Sequence, residues 1–188
     1  MLWLQSLNLD YAFWLTISAI FILLLLSAFF SGSETALTKA SRGKLQTQAD
    51  KGSRSAARAL SITEDNERLI GSVLLGNNLV NILATSLATA LFTKLVGESS
   101  VALATLVMTV LVLIFAEVLP KTYAITNAER AAARVSAPIS LLVSIFDPIV
   151  SAIRKLVRGI LWLFGVRTSA DEPILAVREE IAGAISLG

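Results

Sequence analysis

The sequence predicts an all-α membrane protein: three transmembrane helices, an interfacial helix following them, and a cytoplasmic helical hairpin between the first two spans. Three observations lead there. Long uncharged apolar runs recur along the chain, Lys and Arg avoid particular stretches, and a polar Ala-rich segment separates the first two apolar runs. The 188 residues are 55% hydrophobic and 16% charged, with a mean hydropathy of +0.73. A soluble domain of this size carries roughly 25% charged residues, so the deficit marks membrane spans rather than a large soluble core.

The first span is Tyr11 to Phe30, which is uncharged and contains FILLLLSAFF. The second is Leu69 to Phe92, uncharged but carrying Asn77, Asn78, Asn81, Thr85 and Ser86. The third, Val101 to about Leu119, is apolar until Glu117. About 20 helical residues cover the roughly 30 Å of hydrocarbon, so each run is long enough. Residues 1–10 hold no Lys or Arg and include Asp10. They lack the basic start of a secretory signal, so the first apolar run stays in the protein as a span.

The apolar stretch 135–150 contains Pro138, Asp147 and Pro148, with Arg130 and Arg134 before it and Arg154, Lys155 and Arg158 after it. Its short apolar core and basic flanks predict an interfacial helix with snorkelling bases, in preference to a fourth crossing. Trp162, in the following ILWLFGV, suits the headgroup level. The segment 34–66 reads as the hairpin, rich in Ala, Lys and Arg, with Gly43 and Gly52 as interruptions. Its bases are suited to anionic lipid headgroups.

Orientation follows from the bases. Of 16 Lys and Arg, none precedes span one and only Lys94 lies between spans two and three. The other 15 share one side, which the positive-inside rule makes cytoplasmic. The expected protein is a multi-pass protein of the cell (inner or plasma) membrane, N-terminus outside and C-terminus inside. Residues 1–167 form the transmembrane domain. Residues 168–188 turn acidic and read as the start of a cytoplasmic linker whose following domain lies outside this sequence.

Composition also limits the chemistry. There is no cysteine and no histidine, so thiolate sites and imidazole ligands are excluded and any metal must be held by oxygen. A net charge of +2 gives no argument for nucleic acid. No nucleophile–base pair is apparent, so no enzymatic activity is expected.

Polar groups at membrane depth are expensive unless satisfied, so they face the bundle interior. Each span carries one such cluster: FSGSETAL at 30–37, GNNLVN at 76–81 and AEVLPK at 116–121. Asn77, Asn81 and Thr85 fall on one helix face at i, i+4 and i+8. Pro120 has no N–H, which leaves the Ala116 carbonyl unpaired beside Glu117. Gly32 lets span one pack closely and present Ser31 and Ser33. A lone membrane Asn commonly serves only as interhelical glue, and Ser-Gly pairs commonly serve packing. Three clusters, one per span, favour a shared oxygen site for Mg²⁺ or Na⁺, built from Ser31, Ser33, Asn77, Asn78, Asn81 and Glu117.

The three ordered motifs resemble those of the CorC/cyclin-M family of magnesium transporters, over about residues 11–165. The resemblance implies a homodimeric membrane domain in contact with lipid, with three spans and a belt-like juxtamembrane helix. It implies Mg²⁺ transport as efflux driven by Na⁺ influx. The functional Ser of that family maps onto Ser31, its Asn positions onto Asn77 and Asn81, and its buried Glu onto Glu117. Ser33 and Asn78 fall where relatives vary. Family members usually continue into a nucleotide-sensing pair of CBS domains, so ATP regulation is expected to reside outside these residues.

Two functional classes remain open on sequence grounds. One is a Na⁺-coupled Mg²⁺ exporter. The other is a membrane anchor and sensor that regulates other ion transporters and moves nothing itself. The polar ladder favours the first, since an anchor needs no oxygen-lined interior.

Overall fold

The computed structural model describes the backbone of residues 2–97 and 101–164, and side chains from residue 11 onward within those ranges. The linker expected at 168–188 lies outside the described residues. Among them every regular element is helical, as the composition predicts. Contacts divide the chain into two units, residues 1–150 and 151–188. Everything described below lies in the first, apart from the last turns of the final helix.

Helix α1 runs from Leu2 to Lys39, so the FSGSETAL cluster is helical throughout and does not end the helix. The hairpin is α2, Arg42–Asp50, and α3, Arg54–Glu64. Ser41 and Ser53 cap them, each side-chain oxygen accepting a backbone N–H, from Lys44 and Ala56. Gly52, at φ +92°, makes the turn between them. Gly43 does not interrupt the hairpin: it lies within the first turn of α2, and the break comes at Ser41. Asp65 then caps α4, Asn66–Val96, through the Arg68 N–H at 2.9 Å.

The third span has three parts. Helix α5, Val101–Leu111, passes into a π-helical turn, Val112–Val118, and then into α6, Leu119–Thr126. The Leu119 N–H bonds the Ile114 carbonyl, a five-residue step. Pro120 follows immediately and has no N–H to give, so the wider turn falls where regular α-helical bonding would fail in any case. Helix α7, Ala128–Leu163, continues unbroken through Pro138 and Pro148.

The number of long apolar helices departs from the sequence reading. Four helices, not three, have the length and composition to cross a membrane: Tyr11–Lys39, Asn66–Val96, Val101–Thr126 and Ala128–Leu163. The fourth arises because the two prolines do not end α7. The stretch 135–150 and the later apolar residues therefore belong to one 36-residue helix. Asp147, which shortened the apolar core on paper, is neutralised by Arg68 at 2.6 Å.

Helix α1 packs on α4, on the π-helical turn and on α6, while α4 also meets α5. Small residues are prominent at these contacts, beside larger ones such as Phe30, Leu69 and Val73. Ala36, Ala56, Ala59, Ala84, Ala104, Ala116 and Ala132 are fully buried, and large apolar side chains such as Ile22, Leu25, Ile82, Leu113 and Phe115 point outward. The outward placement of so many large apolar side chains suits a hydrocarbon solvent, where they are at home on the surface and close backbone approach contributes to association.

Candidate cation site

Close approach at two glycines assembles the site. A Cβ on Gly32 of α1 would lie 3.3 Å from Pro120 Cβ, so α1 presses directly on the start of α6. A Cβ on Gly76 of α4 would lie 3.1 Å from the Phe30 ring, which packs over the bare backbone. The residues next to these glycines, Ser31 and Asn77, are thereby brought against Glu117 of the π-helical turn.

Four hydrogen-bonding contacts link the side chains. Ser31 Oγ donates to Glu117 Oε2 at 3.0 Å. Asn77 Nδ2 donates to Glu117 Oε1 at 3.0 Å. Ser27 Oγ, one turn before Ser31, donates to Asn77 Oδ1 at 2.8 Å. Lys121, one turn after Glu117, places Nζ 3.0 Å from Oε2. Ser27 and Ser31 are fully buried and Asn77 nearly so. Both carboxylate oxygens are engaged, and the negative charge is met by an ammonium on the same span.

A groove of about 310 Å³ opens beside this cluster. Its lining includes Asn81 and Thr85 of α4, Thr105 and Thr109 of α5, and Glu117. The two α5 threonines donate to carbonyls of their own helix, Thr105 to Val101 at 2.9 Å and Thr109 to Thr105 at 2.7 Å. Their hydroxyl lone pairs remain for other partners. Asn81 Oδ1 is buried with no hydrogen-bond partner, an orphaned hard oxygen of the kind a cation satisfies.

Of the six residues expected from sequence, the structure joins Ser31, Asn77 and Glu117 by direct hydrogen bonds. Asn81 stands beside them in the groove. Ser33 is buried on α1, but its hydroxyl bonds none of the others. Asn78 is exposed on α4, turned away by the 100° step that separates it from Asn77. Sequence reasoning missed Ser27, Lys121, Thr105 and Thr109. Each was legible as an i, i+4 partner: Ser27 of Ser31, Lys121 of Glu117, and the threonines of one another. Among the described residues no three acidic side chains converge, so the site combines one carboxylate with neutral oxygens.

A family model described as the cyclin M transmembrane N-terminal domain (CNNM) matches residues 18–188. The chain belongs to this family. The match extends past the motif-bearing region through the acidic tail. Among curated relatives, the chain is 49% identical over 61 residues to the UPF0053 inner membrane protein YfjD of Escherichia coli, covering 32% of this chain and 14% of that protein. It is 38% identical over 74 residues to a UPF0053 protein of Haemophilus influenzae, covering 37% of this chain and 18% of that one. The matched parts are thus under a fifth of those relatives' length, and the family assignment rests on the domain match.

Proposed function

We propose that this chain is the membrane domain of a Mg²⁺ transporter, working as Na⁺-coupled efflux across the inner membrane, and that it is not an enzyme. The observation that carries the reading is the convergence of Ser31, Asn77 and Glu117 at 3.0 Å contacts, one from each of three apolar helices. Anchoring alone requires no such cluster, because each polar group at that depth has to be compensated. Mg²⁺ is cargo here. Glu117 supplies the charge, and Ser31, Asn77 and Asn81 supply neutral oxygens of the hardness Mg²⁺ takes. A single carboxylate keeps affinity modest, as release requires. The family assignment supports a homodimer as the working form.

The proposed topology is three crossings, N-terminus outside, with α7 lying at the cytoplasmic interface. Its buried positions Ala128, Ala132, Ser136, Ile139, Val143 and Val150 follow one face, and its polar and apolar faces separate far more sharply than those of α1 or α4. Two ion pairs add to this. Glu129 meets Lys44 of α2 at 3.1 Å, and Asp147 meets Arg68 in the first turn of α4. The two acids are 18 residues apart, about 27 Å along a helix. Both partners nevertheless belong to the end of the bundle where α1 leads into the hairpin and α4 begins.

The test is flux in proteoliposomes with Mg²⁺ and Na⁺ gradients varied separately. Wild-type protein is expected to move Mg²⁺ against its gradient when Na⁺ runs the other way. Glu117→Gln, which keeps size and removes charge, is expected to abolish flux and weaken Mg²⁺ binding. Normal flux from that variant would reject the site; Mg²⁺ movement indifferent to Na⁺ would reject the coupling.

A further inference from the structure

Resting on the reading of Glu117 as the cargo carboxylate, we propose that Lys121 is a tethered counter-cation, whose ammonium occupies Glu117 Oε2 in the cargo-free site and is displaced when Mg²⁺ binds. Three features of the site lead to this. Lys121 Nζ lies 3.0 Å from Oε2, the same oxygen that accepts the Ser31 hydroxyl. The other oxygen, Oε1, is taken by Asn77, and Asn77 Oδ1 is turned to Ser27. Both carboxylate oxygens and the Asn77 amide oxygen therefore already have protein partners.

Such a site cannot take a divalent ion unchanged. A cation on Oε2 would share one oxygen with an ammonium, and their repulsion is strong where water is scarce. One of the two must leave. Lys121 is built to be the one that leaves: its side chain is 42% exposed, and its four-carbon stem is flexible with a strongly hydrated head. Glu117 is held from α1 and α4 at once and has no such freedom. An ammonium also spares the emptied site an uncompensated carboxylate at membrane depth, which would be costly. Lys121 is thus a positioning residue that sets cargo affinity by competition, and it touches the carboxylate only when cargo does not.

The experiment uses the 188-residue chain in detergent, with amine-reactive labelling of Lys121 read by peptide mass spectrometry. Lys39, Lys44 and Lys51 serve as internal standards. In wild-type protein Lys121 is expected to label slowly without Mg²⁺ and several-fold faster as Mg²⁺ saturates, while the standards stay constant. In Glu117→Gln it is expected to label fast at every Mg²⁺ concentration. Lys121→Gln is expected to bind Mg²⁺ several-fold more tightly than wild type. Lys121→Arg, whose fork holds a carboxylate better, is expected to bind it more weakly. Saturating Mg²⁺ binding with no change in Lys121 labelling overturns the proposal, as does weaker binding by Lys121→Gln. If wild-type protein binds no Mg²⁺ while Glu117→Gln still unmasks Lys121, the transport reading fails and displacement by Mg²⁺ fails with it; the ion pair alone survives.

Discussion

Asn77 bridges Ser27 and Glu117, its amide oxygen accepting from the serine at 2.8 Å and its amide nitrogen donating to the carboxylate at 3.0 Å. One side chain of α4 thereby ties α1 to the π-helical turn. It follows that Asn77 and Asn81, equivalent by spacing, differ in what they support. Asn77 is structural in the cargo-free state, whereas Asn81 Oδ1 has no protein partner to lose.

The first prediction uses that contrast. Asn77→Ala leaves a buried hydroxyl and a carboxylate oxygen short of a partner, at about 1–3 kcal/mol for each unsatisfied group. Asn81→Ala removes an oxygen already unpaired. Both variants are expected to weaken Mg²⁺ binding, but only Asn77→Ala should lower the unfolding temperature in detergent. Equal losses of stability would place both asparagines in the framework and neither specifically in the site.

Ser27 provides the second prediction. It touches Asn77 and not the carboxylate, so Ser27→Ala is expected to free the Asn77 amide oxygen without removing a ligand. Mg²⁺ binding should then be retained or strengthened, while Ser31→Ala, which removes a hydroxyl from Oε2, should weaken it. Isothermal titration of the two variants separates the roles. If Ser27→Ala loses binding as severely as Ser31→Ala, Ser27 is itself a ligand.

How much of this was legible beforehand follows from what each feature depends on. The helical class and the apolar runs rest on composition along a local window, and the sequence holds all of that. The meeting of Ser31, Asn77 and Glu117 was legible because they lie next to Gly32 and Gly76 and one turn before Pro120, residues that announce close packing or a broken ladder. Asn78 was misplaced because adjacency in sequence is not adjacency on a helix. The π-helical turn was not foreseen: Pro120 signals an orphaned carbonyl, but whether the chain kinks or widens depends on what packs against it, here Gly32 of α1. The length of α7 was missed for a related reason. Proline disfavours a helix interior by about 3 kcal/mol, whereas the burial of Ile139, Val143 and Val150, which favours continuing the helix, is tertiary information that no local window contains.

A third prediction concerns the α4–α7 contact. A Cβ added at Gly71 would lie 2.8 Å from Val150 Cγ1, closer than carbon atoms normally approach. Gly71→Ala is expected to destabilise the protein by about 1–3 kcal/mol, the usual range for overpacking. Trimming the opposing side chain in the double variant Gly71→Ala/Val150→Ala should recover most of the loss, because the two side chains compete for one space. A double-variant cycle by thermal unfolding measures the coupling. Additive effects would mean that the two helices do not meet at these residues.

The last prediction addresses the path of α7. Single cysteines, introduced into a chain that has none, can carry a spin label whose collisions with oxygen and with a water-soluble nickel complex report depth. An interfacial α7 predicts that outward-facing Leu141, Ile145 and Ile149 share one shallow depth, while inward-facing Ile139 and Val143 are shielded from both reagents. The eight residue steps from Leu141 to Ile149 extend about 12 Å along a helix, so a crossing helix would show a steady change of depth over most of that distance. Topology gives the companion measurement. A cysteine at Ser53, in the hairpin, should react with an impermeant thiol reagent only after the cytoplasmic face is opened, and one at Lys94 should react from outside. An interfacial α7 keeps its own later residues, Lys155 for example, on the same side as Ser53. Reaction of a cysteine at Lys155 from outside, together with a depth gradient along 141–149, would make α7 a fourth crossing and overturn the three-span arrangement.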